Sequence, residues 1–187
     1  MWVAVIAWGS LITEPGDLRI DADGWRVGGP NLPIELSRLS SKRKHLTYVI
    51  DETHSRKVPT RFGISSFSGL EDAISSLARR EGCPPHLIGF VEAGHPARHR
   101  SRTGQWQEIR EWLSASPAPV DAAVRTDLEP AFPGPFSLDA AVKFWRRLPA
   151  PLRDAAKVYA EEAPPEVDTD LRRRLSEENL IGAVHPA

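Results

Sequence analysis

The residues best placed for chemistry stand at the start of the chain. Trp8-Gly9-Ser10-Leu11 follows directly on the apolar run Trp2-Val3-Ala4-Val5-Ile6-Ala7. An apolar run that breaks into Gly-Ser predicts a strand ending in a tight turn, where glycine permits a sharp bend and close approach of a ligand to the backbone. Successive N–H groups in such a turn form a concavity suited to an anion. Two carboxylates are candidates to act beside it. Glu81 lies in Arg79-Arg80-Glu81-Gly82, and Gly82 followed by Pro84-Pro85 predicts the end of a helix there. A carboxylate at a helix C-terminus opposes the dipole by a few tenths to about 1 kcal/mol, a mild misplacement unless the group has a use. Glu35 alternates with Ile34 and Leu36 along Leu32-Pro33-Ile34-Glu35-Leu36-Ser37-Arg38, so it faces either a pocket or water. Arg38 is the side chain best suited to pair a carboxylate, because its planar fork binds both oxygens at once.

Periodicity predicts the elements that must position these groups. Residues 2–7 form a buried strand, and residues 24–27 a second, ended by Gly28-Gly29-Pro30. Residues 32–39 alternate as a half-buried strand. Ser41-Lys42-Arg43-Lys44 is a polar hairpin tip, followed by the strand 45–50. Leu70, Ala73, Ile74 and Leu77 recur at helical spacing from Gly69 to Arg80. A strand over 87–91, a loop over 94–104, a helix over 104–113 and a strand over 120–126 complete the first part. Three helices follow, opening near Ser137, Pro151 and Thr169 or Asp170, and ending by about residue 180. The expectation is an α+β fold, with a mixed, largely antiparallel sheet or small barrel over residues 1–126. Residues 127–187 are then a helical extension packed on it.

The chain has 187 residues, 41% hydrophobic and 26% charged, with a net charge of −1. That is the composition of a soluble domain large enough to bury a core without disulfides. The near-zero charge gives no reason to expect nucleic acid or an anionic membrane as partner. The lone Cys83 excludes an internal disulfide framework and a cysteine-based metal site. No stretch is long enough to span a bilayer, and no basic region precedes the short N-terminal apolar run. The cytoplasm is the expected compartment.

A strand, an aromatic residue, Gly9-Ser10-Leu11 and a downstream Glu81-Gly82 together resemble the γ-glutamylcyclotransferase-like family, including its ChaC-type branch. The resemblance covers residues 1–90 better than the rest, although Tyr159-Ala160-Glu161-Glu162 is distantly similar to a C-terminal segment of that branch. It implies a small mixed barrel that works without metal or organic cofactor. The reaction it implies cyclises a small γ-glutamyl compound to 5-oxoproline and releases an amine or amino acid. The backbone amides of Gly9, Ser10 and Leu11 would bind the glutamyl head, with Trp8 as a flat wall and the Ser10 hydroxyl adding a hydrogen bond. Glu81 would move the proton. Trp8 stands where the family has tyrosine, keeping a ring and an N–H donor but losing a hydroxyl. Glu35 and Arg38 are the further substrate-binding candidates. The alternative is a non-catalytic module on the same fold that binds a small ligand or a protein.

Other clusters have plainer readings. His95 and His99 flank Pro96 in a loop, so no helix presents them together to a metal. The arginines of 98–102 and 172–174 are expected at the solvated surface. Ser10 lies outside any nucleophile-elbow sequence, and Trp106, Trp112 and Trp145 are expected to be packing residues.

Overall fold

A computed structural model describes residues 1–116 and 119–183; residues 184–187 of the expected extension lie outside them. In chain order the elements are β1 (Val3–Ala7), α1 (Ser10–Thr13), β2 (Leu32–Leu39), β3 (Leu46–Ile50), β4 (Lys57–Val58), β5 (Arg61–Ile64), α2 (Leu70–Glu81), β6 (Ile88–Glu92), β7 (His99–Arg100), α3 (Trp106–Ala115), β8 (Ala122–Thr126), α4 (Leu138–Arg147), α5 (Ala150–Glu161) and α6 (Asp170–Glu177). They assemble into two compact units, each drawn from several stretches. The first holds 1–7, 14–32 and 59–128; the second holds 8–13, 33–58 and the chain from 129 onward. The division expected at 126/127 falls beside one crossing, whereas 8–13 and 33–58 join the helical extension.

In the first unit the strand order is β5-β1-β8-β6-β7. β1 runs parallel to β8 and antiparallel to β5, and β6 is antiparallel to both its neighbours. Every residue of β1 is buried, which is why its sequence is unbroken apolar rather than alternating. Helix α2 packs on β1, β6 and β8 through Ala73, Ile74 and Leu77, the stripe its spacing predicts. It ends at Gly82, which takes φ 65° while the Cys83 N–H bonds the Ala78 carbonyl. That left-handed cap is what glycine supplies at low cost. The expected strand over 24–27 shrinks to a single bridge between Arg26 and Phe62, because Gly24 and Gly28 both adopt positive φ. Just beyond β8, buried Asp127 pairs Arg125 at 2.8 Å and accepts the Thr103 N–H, while Arg125 also donates to Ser101 and Gly104. This pair holds the connection between β7 and α3 without regular structure.

In the second unit β2 lies between β3 and β4. β2 and β3 form the expected antiparallel hairpin, with a register shift between Glu35 and Arg38. Helix α5 packs on β3, and α4 on α6. The Ser137 Oγ caps α4 by accepting the Ala140 N–H at 3.1 Å, and the Thr169 Oγ1 caps α6 by accepting from Arg172 at 3.3 Å. Strand β2 departs from its expected half-buried pattern: all of Leu32–Ser37 is buried, on both faces. The chain is thus α+β, with a mixed five-stranded sheet, a three-stranded sheet and six α-helices among the described residues. Among those residues no helix is long and apolar enough to cross a membrane.

Candidate functional site

The turn after β1 belongs to the second unit, and the structure surrounds it with aromatic and basic groups of that unit. Trp8 is 5% exposed, and its indole N–H donates to the Tyr48 carbonyl at 3.4 Å. The ring is therefore an anchor to β3, and its N–H is committed to the fold. Gly9 does not need the left-handed region. A Cβ there would sit 3.4 Å from the Tyr48 ring and 3.6 Å from the Tyr159 hydroxyl, ordinary van der Waals distances, so the turn lies directly against both tyrosines. Ser10 and Leu11 open the single-turn helix α1, closed by the Ile12 N–H on the Gly9 carbonyl at 2.9 Å. The buried Ser10 hydroxyl accepts from Arg43 Nη2 at 3.5 Å.

Behind the turn lies an aromatic cluster built by β3 and α5. The Tyr48 and Tyr159 rings stack at 5.6 Å, and the His45 ring lies 5.2 Å from that of Tyr159. The Tyr48 N–H donates to the Tyr159 hydroxyl at 3.2 Å, and the Tyr48 hydroxyl donates to the Ala160 carbonyl at 3.2 Å. Burial pushes the Tyr48 phenol far above its usual range, so it stays protonated and acts only as that donor. His45 is buried with Nδ1 2.8 Å from the Leu46 carbonyl. Burial also lowers its pKa, and a neutral ring meeting a carbonyl carries its proton on Nδ1.

Glu35 occupies a different environment from either one expected. It is 0% exposed, with Oε1 accepting the Leu36 N–H at 2.8 Å and Oε2 the Leu171 N–H at 3.2 Å. The second bond ties β2 to the first turn of α6, where N–H groups lack helical partners and the dipole favours a negative charge. Burial nevertheless raises the Glu35 pKa to about 7, outweighing the hydrogen bonds that hold it down. Arg38 is also committed: its Nη1 donates to the Glu129 carbonyl at 2.6 Å. Both residues therefore tie strand β2 to the chain beyond 128.

Glu81 belongs to the first unit, as the last residue of α2. It is partly buried, and its Oε1 accepts from Arg80 Nη1 at 2.6 Å. Arg80 in turn donates to the Glu14 carbonyl, which fastens the end of α2 to the segment after α1. A carboxylate held by an arginine through one oxygen keeps the other for further donors.

Within the second unit the turn therefore keeps company with Arg43, Tyr48 and Tyr159. The run 45–50 marks a strand but not that its Tyr48 reaches Gly9, and Arg43 reads from sequence only as hairpin polarity. Of the arginines expected at the surface, Arg98 pairs Glu92, Arg173 pairs Asp168 and Arg174 pairs Glu178. Arg172 departs from that expectation. It is buried and donates to the carbonyls of Ala163, Pro164 and Val167 just past the end of α5. Among the described residues no group of three or more His, Cys, Asp and Glu side chains could hold a metal ion. No family model, curated protein or solved structure matches this chain.

Proposed function

We propose that this chain is a γ-glutamylcyclotransferase-like enzyme that converts a small γ-glutamyl compound to 5-oxoproline and a free amine or amino acid. The observation that carries the reading is the turn. At the end of a buried strand, Gly9 lies against two tyrosines while a guanidinium meets the Ser10 hydroxyl. Such a turn supplies fixed donors for the glutamyl head and for the oxyanion that develops on its γ-carbonyl. The α-amine of the compound attacks that carbonyl, the new C–N bond closes the lactam, and the original amide C–N bond breaks. One proton leaves the attacking nitrogen and one reaches the departing nitrogen, so a single carboxylate serves as base and then acid. Glu81 takes that role. The small barrel of the family is part of the same proposal; the described strands form a five-stranded and a three-stranded sheet, neither of them closed.

The tight pair of Glu81 with Arg80 favours a second reading, a module of the same fold that binds a γ-glutamyl-like ligand without turning it over. A carboxylate engaged by a guanidinium must loosen that contact before the engaged oxygen can take a proton. Release of 5-oxoproline from a panel of γ-glutamyl amides, by wild type and by Glu81→Gln, separates the two. Release that collapses in the variant assigns the proton shuttle. Release that survives removes Glu81 from the chemistry. A folded wild type that binds the compounds and releases nothing is the binding module.

A further inference from the structure

Arg43 is a charged group beside the turn, and the cyclisation chemistry as written does not use it. It stands in the connection 40–45 between β2 and β3, which is tightly braced. The Ser40 Oγ accepts the Arg43 N–H at 3.0 Å, and the Lys44 N–H bonds the Ser40 carbonyl at 2.8 Å with Lys44 at φ 61°. The Ser40 N–H in turn bonds the His45 carbonyl at 3.0 Å. Long basic side chains at a hairpin tip ordinarily extend into water, as exposed Lys42 and Lys44 do. Arg43 instead folds back over the Tyr159 ring, 5.1 Å from its centroid, and reaches the Ser10 hydroxyl. A guanidinium donates in its own plane, the geometry in which it grips a carboxylate with two parallel bonds. Lys42 and Lys44 on either side add positive potential that draws an anion toward it.

We propose that Arg43 is the specificity-determining residue of the turn, its guanidinium steered by Ser10 and Tyr159 onto a carboxylate of the bound compound. The proposal rests on the cyclotransferase reading. A γ-glutamyl compound carries an α-carboxylate on its head and, when the released part is an amino acid, a second one there. Either carboxylate presents the same chemistry to Arg43, and substrates distinguish them.

The test compares wild type, Arg43→Lys and Arg43→Met on three compounds: a γ-glutamyl amino acid, a γ-glutamyl alkylamine, and the α-amide of that alkylamine derivative. Arg43→Met should raise KM by about tenfold or more wherever the recognised carboxylate is present, with a much smaller change in kcat. Arg43→Lys should recover part of the loss, since it keeps the charge and loses the fork. A rise for the amino acid and the alkylamine but not the α-amide assigns the head carboxylate. A rise for the amino acid alone assigns the released one. An equal loss on all three compounds, or none, overturns the proposal. If Arg43→Met does not fold, the KM rise in Arg43→Lys decides. Should wild type turn over none of the compounds, the cyclotransferase reading has failed by itself. Calorimetric titration with glutarate and with glutaramide then judges Arg43 directly. An Arg43-dependent preference for glutarate sustains its role as a carboxylate reader, and equal or absent binding ends it.

Discussion

Glu35 and Glu81 are carboxylates placed at opposite ends of helices. Glu35 meets the N-terminus of α6, the electropositive end, and is buried with both oxygens accepting backbone N–H groups. Glu81 sits in the last turn of α2, the electronegative end, partly exposed and held by the adjacent Arg80. The first arrangement satisfies the helix and β2 together, and its carboxylate has no spare lone-pair direction toward water. The second is held by a neighbouring side chain rather than by backbone donors, and its carboxylate keeps some exposure to solvent. A well-placed acid is structural here, and the misplaced one is the candidate for chemistry.

The largest test of that contrast is kinetic. Glu81→Gln should lower 5-oxoproline release by about 100- to 10,000-fold, the range of a general acid–base group. Its melting temperature should move little, because glutamine keeps a side-chain oxygen that accepts from Arg80. A variant that keeps more than about a tenth of the wild-type rate removes Glu81 from proton transfer.

Glu35 should show itself in stability rather than in rate. Its folded pKa, raised to about 7, lies above the unfolded value of 4.5, so the folded state holds the proton more tightly. The contribution is fully present below pH 4.5 and is lost as pH rises through about 7. It amounts to something on the order of 3 kcal/mol, since each tenfold difference in proton affinity is worth about 1.4 kcal/mol. Urea unfolding of wild type should therefore weaken from pH 4.5 to pH 8 relative to Glu35→Gln, whose side chain does not titrate. Parallel pH profiles for the two proteins would show that folding leaves the proton affinity of Glu35 unchanged.

Two smaller effects probe the helix ends themselves. Gly82→Ala forces a side chain into the left-handed cap of α2, at about 1–2 kcal/mol, and should lower the urea midpoint. Activity should fall less than in Glu81→Gln, since the carboxylate survives in a loosened last turn. Thr169→Val removes the cap of α6 for about 1 kcal/mol. It should also shift the Glu35 titration upward, because the Thr169 hydroxyl is among the groups that hold that pKa down. An unmoved titration would mean that the Leu36 and Leu171 amides act alone.

Regular elements with a strong local signal were legible. β1, the β2–β3 hairpin, α2 with its glycine cap, and the three C-terminal helices follow from runs, periodicity and capping residues. β5 and β7 were not. Arg61-Phe62-Gly63-Ile64 and His99-Arg100 are too short and too mixed to announce strands, and they exist because β1 and β6 offer them ladder partners. The turn at Trp8–Leu11 was legible as a strand end, but its tyrosines and Arg43 arrive from roughly 30 to 150 residues away in sequence. Glu35 shows the limit most clearly. Alternation placed it correctly opposite Ile34 and Leu36, yet offered only a pocket or water for that face, and α6 covers it instead.

By itself the sequence determined where chain segments are straight, where they break and which stripe of each helix is apolar, because those depend on neighbours within a turn or two. It also named candidate groups for chemistry, a glycine turn at a strand end and a carboxylate at a helix end. Only the tertiary structure decided which carboxylate is locked into the fold and which arginine reaches the turn. Those outcomes depend on burial and on donors from distant segments, and a charged group's role follows from what surrounds it.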